Sequence, residues 1–271
     1  HYELGMAVLD AGKHLLLEKP HALSLAESAG LASKAGRTPL KSLAGFNLRW
    51  HRNVGKARDI IGSGSLGTVK FVRTVMSVDD PELAEWRRKR ALGGGAIFDL
   101  GIHHFDALRY LLGAEAERVH AEAVSGETGD ETAVVSMVMS DGIQSSSVFS
   151  YGSGHANEIE VYGSKGIMKL SLYDIAGLRI SQIEAPLGGL DEGIGRAFDR
   201  ITQTVENAEA LKRGGIFRES YYREWEGFID SVINDREVGC SLEDGGRALE
   251  IALAAIESAD TGTPVKLSDA G

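Results

Sequence analysis

The sequence is poor in the residues that mark disulfide-stapled and membrane-spanning proteins. Cys240 is the single cysteine among 271 residues, which excludes an internal disulfide framework and favours a reducing, cytoplasmic compartment. No apolar run approaches the roughly 18 consecutive residues that a membrane-spanning helix needs. We therefore expect a cytoplasmic protein with no membrane partner.

Basic residues are also outnumbered, because 29 Lys and Arg face 39 Asp and Glu, giving a formal net charge of −10. Nucleic acids and anionic membranes select basic surfaces, so this balance argues against both as partners. The remaining composition, 43% hydrophobic and 25% charged, is ordinary for a folded chain. The length predicts one large domain or two modest ones.

The first part of the chain alternates between helix and strand. A helix is predicted over residues 1–11, and a second one follows a capping box formed by Ser24 and Glu27. Apolar strands are predicted at Leu15–Leu17 and Leu40–Phe46. Strand, helix and strand at this spacing predict a parallel α/β unit, entered partway through.

The middle of the chain predicts an antiparallel sheet. A strand at Thr68–Val78 and six short strand-like segments between residues 117 and 183 are separated by turn signals. A helix is predicted over residues 194–212. The next helix carries an apolar stripe that we interpret as core, formed by Tyr221, Trp225, Phe228 and Val232.

One glycine pattern resembles a dinucleotide-binding loop but stands in the wrong context. Residues Gly62 to Gly67 fit G-x-G-x-x-G, which binds a pyrophosphate only after a strand and at the start of a helix. Here a helix precedes the glycines and a strand follows them. We interpret this segment as a helix-to-strand turn.

The tripeptide Glu18-Lys19-Pro20 ends the first predicted strand. Ligands of open α/β sheets collect at the carboxyl ends of the strands, so Lys19 could present its positive charge to a substrate hydroxyl or a cofactor. The alternative is a solvated lysine followed by a turn proline, and this tripeptide alone does not decide between them.

The richest stretch runs from Gly93 to Asp106. Asp99, His103 and Asp106 stand at positions i, i+4 and i+7, so a regular helix places them on one face. Histidine can accept and return a proton near neutral pH, and a neighbouring carboxylate would orient it. Two alternatives stay open: a capping Asp with a core histidine, and a divalent metal site.

Five further residues are candidates for the same crevice. Asn47 and Arg49 follow the second strand, Trp86 and Arg87 precede the triple glycine, and His155 follows a sheet strand. An aromatic–guanidinium pair such as Trp86-Arg87 could pack on a cofactor ring. The alternative for each is a turn or loop residue with a solvated or loop-anchoring side chain.

These motifs, in this order, resemble the glucose–fructose oxidoreductase / inositol dehydrogenase / rhizopine-catabolism (Gfo/Idh/MocA) family of oxidoreductases. The resemblance covers nearly the whole chain. It is carried by A-G-K-H-L-L-L-E-K-P from Ala11, G-F-N-L-R-W-H from Gly45, G-S-L-G from Gly64, G-G-G-A-I-F-D-L-G-I-H from Gly93 and E-I-E-V-Y-G-S-K-G from Glu158.

The resemblance implies an α/β fold in two parts. Residues 1–48 would be the C-terminal part of a Rossmann domain, a doubly wound parallel sheet whose glycine fingerprint lies upstream of His1. Residues 49–271 would be an α/β domain for substrate binding and oligomerisation, with a large, mostly antiparallel open-faced sheet. A homodimer or homotetramer would form through that sheet.

The resemblance also implies the chemistry. Lys19, Asp99 and His103 match catalytic positions, and the Lys19-Pro20 bond is expected to be cis. Asp106, Asn47 and His155 are expected to bind substrate. The cofactor, NAD or NADP, is expected to contact a set formed by Glu18, Lys19, Pro20, Arg49, Trp86 and Arg87, and no metal is expected.

The reaction implied is hydride transfer between a nicotinamide and a secondary hydroxyl of a sugar, polyol or related cyclic alcohol. In our interpretation, His103 is the base, Asp99 orients it and Lys19 stabilises the developing alkoxide. The alternatives are a non-catalytic sensing or regulatory module that resembles the family, and a metal-dependent sugar lyase or isomerase.

Overall fold

The fold is that of a computed structural model, which describes residues 1–79, 82, 84–125, 129–182 and 207–268. Its helices are α1 (Tyr2–Asp10), α2 (Leu25–Ala35), α3 (Arg52–Gly62), α4 (Ile102–Leu112), α5 (Ala208–Lys212), α6 (Ile216–Ile233) and α7 (Leu242–Thr261). Its strands are β1 (Leu15–Glu18), β2 (Ser42–Gly45), β3 (Val69–Val78), β4 (Ala116–Ser125), β5 (Asp130–Met139), β6 (Gln144–Tyr151), β7 (Ala156–Gly163), β8 (Gly166–Ser171), β9 (Leu178–Gln182) and β10 (Val265–Lys266).

The first unit is the predicted parallel pair. Strands β1 and β2 are hydrogen-bonded in parallel, and α2 connects them. The Ser24 hydroxyl accepts a hydrogen bond from the Glu27 amide and caps α2, as predicted. The Lys19–Pro20 peptide, which follows β1, is cis as expected. Because β1 and β2 are parallel, their carboxyl ends lie at the same edge of this sheet.

The second unit is an eight-stranded sheet in the order β10-β4-β5-β6-β3-β7-β8-β9. Only the β3–β6 pair is parallel among its described neighbours, so the prediction of a mostly antiparallel sheet is confirmed. Residues alternate across it. In β5, Ala133, Val135 and Met137 are buried beneath the helices, whereas Val134 is exposed on the opposite face.

Helix α7 joins the two units. A capping box between Ser241 and Asp244 starts it, and Gly262 ends it in the left-handed conformation. It packs against α2 and β2 of the first unit and against α4 and β4 of the second. One hydrophobic core therefore continues through both units, and the domain boundary at residues 48 and 49 stays a prediction.

Three expectations about helices and strands are modified by the structure or lie outside the described residues. The helix expected to carry Asp99, His103 and Asp106 begins with a π-helical turn, Ala96–Gly101, before α4 continues it. The stripe on α6 is only partly core, because Phe228 is buried but Trp225 is 52% exposed, which corrects our interpretation. Most of the helix predicted over residues 194–212, and the end of the last strand at residue 183, lie outside the described residues.

The Gly62–Gly67 segment connects α3 to β3, so its interpretation as a helix-to-strand turn is confirmed. Gly64 and Gly67 both adopt positive φ, which explains the glycines without a ligand. Within the described residues, no helix is long and apolar enough to cross a membrane.

Candidate active site

A buried ion pair lies where the two units meet. The Lys19 ammonium at the end of β1 donates to the Asp99 carboxylate at 2.7 Å and to the Asp99 backbone carbonyl at 2.9 Å. Asp99 is 3% exposed and stands in the π-helical turn, a conformation found frequently at functional sites. Two contacts to one residue fix the lysine head group at the mouth of the crevice.

The second carboxylate oxygen of Asp99 accepts from two further groups. Arg87 Nε and the Tyr151 hydroxyl donate to it at 2.7 and 2.5 Å. Burial alone would raise the pKa of Asp99, but the Lys19 charge, the hydrogen bonds from Lys19 and Tyr151, and the Arg87 charge together lower it below its usual range. Asp99 is therefore ionised at neutral pH.

His103 lies beside this cluster without a hydrogen bond to it. Its ring is 9% exposed and meets the Phe46 ring edge-on, with centroids 6.4 Å apart. Nδ1 is enclosed without a partner in the described part of the chain, which leaves Nε2 as the nitrogen that can reach a substrate. Burial lowers the pKa of His103 well below its usual range, and the Lys19 charge lowers it further against the opposing Asp99. The ring is therefore neutral at pH 7.

This geometry corrects the expected Asp99–His103 pair. Asp99 uses its carboxylate oxygens for Lys19, Arg87 and Tyr151, so it does not orient His103 through a hydrogen bond. The π-helical turn shifts Asp99 relative to the α-helical spacing that the prediction assumed. The role that emerges for Asp99 is to hold Lys19.

A cavity of about 640 Å³ opens beside Lys19. Lys19, Pro20 and Trp86 line it, together with α1 and the start of α2, and the Trp86 ring is 47% exposed. Three of the six predicted cofactor contacts thus share one crevice. Glu18 is exposed at the end of β1. Arg87, the fifth of the predicted cofactor contacts, donates to Asp99.

Two predicted ligands are enclosed and bind each other instead. Arg49 donates to both oxygens of Asp106, at 2.9 and 2.7 Å, and also pairs with Asp244 at 3.1 Å. Asp106 is fully buried. In this structure the two charges already satisfy each other, and the roles of Arg49 as a cofactor ligand and Asp106 as a substrate ligand stay predictions.

The other two predicted substrate ligands lie in different surroundings. Asn47 is 1% exposed and donates to the Ser220 hydroxyl at 2.8 Å, while its Oδ1 is enclosed without a partner in the described residues. His155 is exposed in the turn between β6 and β7. Both roles stay predictions.

Sequence patterns missed two acidic groups. Asp130, the first residue of β5, accepts from the Ile97 amide at 2.8 Å and from Arg90 at 2.6 Å. Glu224 on α6 is 1% exposed, and its pKa is raised to about 8 by burial and by the charges of Glu18 and Asp106. The groups around Asp130 and Glu224 come from residues far apart in the chain, so no local sequence spacing predicts them.

The described part of the chain contains no ligand set for the metal-dependent alternative. No group of three or more His, Cys, Asp or Glu side chains there has the arrangement to hold an ion.

Comparison with known proteins supports the same architecture. The model of the Gfo/Idh/MocA oxidoreductase family, C-terminal alpha/beta domain, matches residues 58–267. The chain belongs to this oxidoreductase family. It is 30% identical over 280 residues to myo-inositol 2-dehydrogenase from Thermotoga maritima, covering 99% of this chain and 77% of the relative.

Other members of the family resemble this oxidoreductase along most of its length. Inositol 2-dehydrogenase from Rhizobium meliloti is 29% identical, covering 95% of this chain and 74% of the relative. The crystal structure of a probable dehydrogenase from Thermotoga maritima superposes with a TM-score of 0.76 at 28% identity, covering 98% and 76% of the two chains.

We expect Asp106→Ala to lower the free energy of unfolding by about 3–5 kcal/mol, because it leaves Arg49 buried without its main partner. Chemical denaturation monitored by circular dichroism measures this. Asp10→Ala is the matched control, since Asp10 is exposed and pairs with Lys34 at the surface, where removal costs about 1 kcal/mol or less. Equal losses in the two variants would contradict an enclosed Arg49–Asp106 pair.

Glu224→Gln should change how stability depends on pH. Because the folded-state pKa of Glu224, about 8, exceeds its unfolded value, the wild-type side chain loses its stabilising contribution as pH rises toward 8. The variant should therefore gain stability relative to wild type, by roughly 3–5 kcal/mol between pH 4.5 and 8, and no more above that. The exposed Glu226 supplies the control: Glu226→Gln should give a flat difference.

Proposed function

We propose that this oxidoreductase transfers a hydride between NAD or NADP and a carbon that bears a secondary hydroxyl in a polyol or sugar. It is an NAD(P)-dependent dehydrogenase. The observation that carries the proposal is Lys19, held by Asp99 at the crevice beside a neutral, buried His103. Relatives named as inositol dehydrogenases support the substrate class, and one related structure is described with bound NAD(H) and scyllo-inositol.

The crevice residues fit the nicotinamide end of such a cofactor. Trp86 offers a half-exposed aromatic face, Leu23 is 47% exposed, and Pro20 lines the same crevice. A flat heteroaromatic ring packs favourably against such a surface. The nicotinamide supplies the hydride acceptor, and the protein supplies position and charge.

The side chains have separate tasks in alcohol oxidation. His103, whose buried ring is neutral, accepts the hydroxyl proton through Nε2. The Lys19 ammonium stabilises the negative charge that grows on the substrate oxygen as that proton leaves. Asp99 contributes by fixing Lys19, and Arg87 and Tyr151 fix Asp99.

His103→Ala should reduce kcat by roughly 10²–10⁴-fold, since it removes the proton acceptor. The dissociation constant of NADH, measured by nicotinamide fluorescence, should change little. His14→Ala is the control, because His14 is exposed at the opposite end of β1 and should leave both values unchanged. An unaltered kcat in His103→Ala would refute the assigned base.

The open sheet supports a further part of the proposal, a homodimer or homotetramer. Its outer face exposes Phe71, stacked on Tyr162 at a centroid distance of 4.2 Å, and Val134, each 45% exposed. Large apolar side chains exposed on one sheet face are typical of protein contacts. Such an enzyme would work in the cytoplasm, where the single Cys240 stays reduced.

Val134→Glu should shift the molecular mass in sedimentation toward the monomer, because it places a charge on that face. Leu4→Glu is the control, since Leu4 is 69% exposed on α1, away from the sheet. An unchanged mass in Val134→Glu would contradict assembly through the sheet.

A further inference from the structure

Asp130 lies beneath the active site and is not part of it. It is 2% exposed, and its two carboxylate oxygens have different partners. One accepts from the Ile97 backbone amide at 2.8 Å, and the other accepts from Arg90 Nε at 2.6 Å. The strand residue thus binds two segments that are separate in the chain.

Each of these segments delivers a group to the catalytic cluster. Ile97 is the second residue of the π-helical turn, and Asp99 follows two residues later. Arg90 belongs to the loop that carries Arg87, which donates to the Asp99 carboxylate. Asp130 therefore holds both the turn that presents Asp99 and the loop that presents its partner.

The glycines between the two segments allow this close approach. A Cβ atom at Gly95 would lie 2.6 Å from the Asp130 Oδ1 atom, and Gly95 also adopts a φ of +91°. The Gly95 amide donates to the Arg87 carbonyl at 2.7 Å, and the Gly94 amide donates to the Lys89 carbonyl at 3.0 Å. These two backbone hydrogen bonds close the loop next to the Asp130 carboxylate.

We propose that Asp130 is a positioning residue for the reaction: by fixing residues 87–97 it makes Arg87 and Asp99 meet, and Asp99 in turn holds Lys19 at the crevice. This proposal rests on the catalytic role proposed above for Lys19. It also ties the cofactor side of the cleft to the catalytic pair, because Trp86, which lines the crevice, precedes Arg87.

Four variants of the full-length enzyme separate the contacts. Asp130→Ala removes both contacts. Asp130→Asn keeps an oxygen that can accept from Ile97 but loses the charge. Arg90→Gln removes only the ion pair to the loop. The matched control is Asp260→Asn, because Asp260 pairs with the same Arg90 at 2.5 Å but has no bond to the turn and is 57% exposed.

The first measurement is steady-state kinetics with a polyol and NAD(P). We expect kcat to fall roughly 100-fold in Asp130→Ala, since misplacing a catalytic group by about 1 Å has an effect of this size. Asp130→Asn and Arg90→Gln should lose about 10-fold, and Asp260→Asn should match wild type. KM for the polyol should stay within about twofold, and the NADH dissociation constant should rise far less than kcat falls, because Trp86 and Leu92 keep their side chains in the crevice lining.

The second measurement does not depend on activity. In the absence of cofactor, an amine-reactive acylating reagent should modify Lys19 several times faster in Asp130→Ala and Arg90→Gln than in wild type or Asp260→Asn. Peptide mass spectrometry quantifies the rate. A loosened Asp99 releases the ammonium that it now binds at 2.7 Å. If Asp130→Ala does not fold, Asp130→Asn and Arg90→Gln provide the same comparison.

The outcomes separate this proposal from the proposed function. An unchanged Lys19 acylation rate in folded Asp130→Asn and Arg90→Gln would overturn the positioning role, whatever the activity. A kcat loss that only follows the folded fraction would overturn it as well. Faster acylation with an unchanged kcat would support positioning by Asp130 and overturn the catalytic role of Lys19.

Discussion

The carboxylate of Asp99 is the constraint on which the site depends. Three donors from different parts of the fold converge on it: Lys19 from the end of β1, Arg87 from a loop and Tyr151 from the end of β6. A buried carboxylate is costly unless its charge is paired and its oxygens are hydrogen-bonded, and here both conditions are met. The parallel unit and the large sheet are thus joined at the proposed catalytic cluster.

The same cluster lies beside His103. Burial is the main cause that lowers the pKa of His103, and the Lys19 and Arg87 charges act in the same direction against the opposing Asp99. The cations that bind Asp99 therefore add to the effect of burial in keeping the histidine neutral. A base that is unprotonated at neutral pH and an ammonium that faces the same crevice are complementary requirements of alcohol oxidation.

Local patterns predicted the elements well and the long-range contacts poorly. The βαβ unit, the cap at Ser24 and the rejection of Gly62–Gly67 as a nucleotide loop all rest on neighbouring residues, and all are confirmed. The spacing of Asp99 and His103 was read with an α-helical period, and the π-helical turn breaks that period. Asp130 is invisible to such patterns, because its partners are 33 and 40 residues away.

The enclosed Arg49–Asp106 pair shows why residue type and position along a motif do not suffice. Asp106 stands three residues after His103 on α4, yet His103 makes no ion pair within the described residues, whereas Asp106 is sealed against Arg49. Sealing fixes α4 against the segment that follows β2, so the pair orients the helix that carries His103. A negative charge left free at Asp106 would instead oppose the growth of alkoxide charge beside Lys19. Neutralising it within the protein leaves Lys19 and Arg87, which outnumber Asp99, as a net positive charge within the Asp99 cluster.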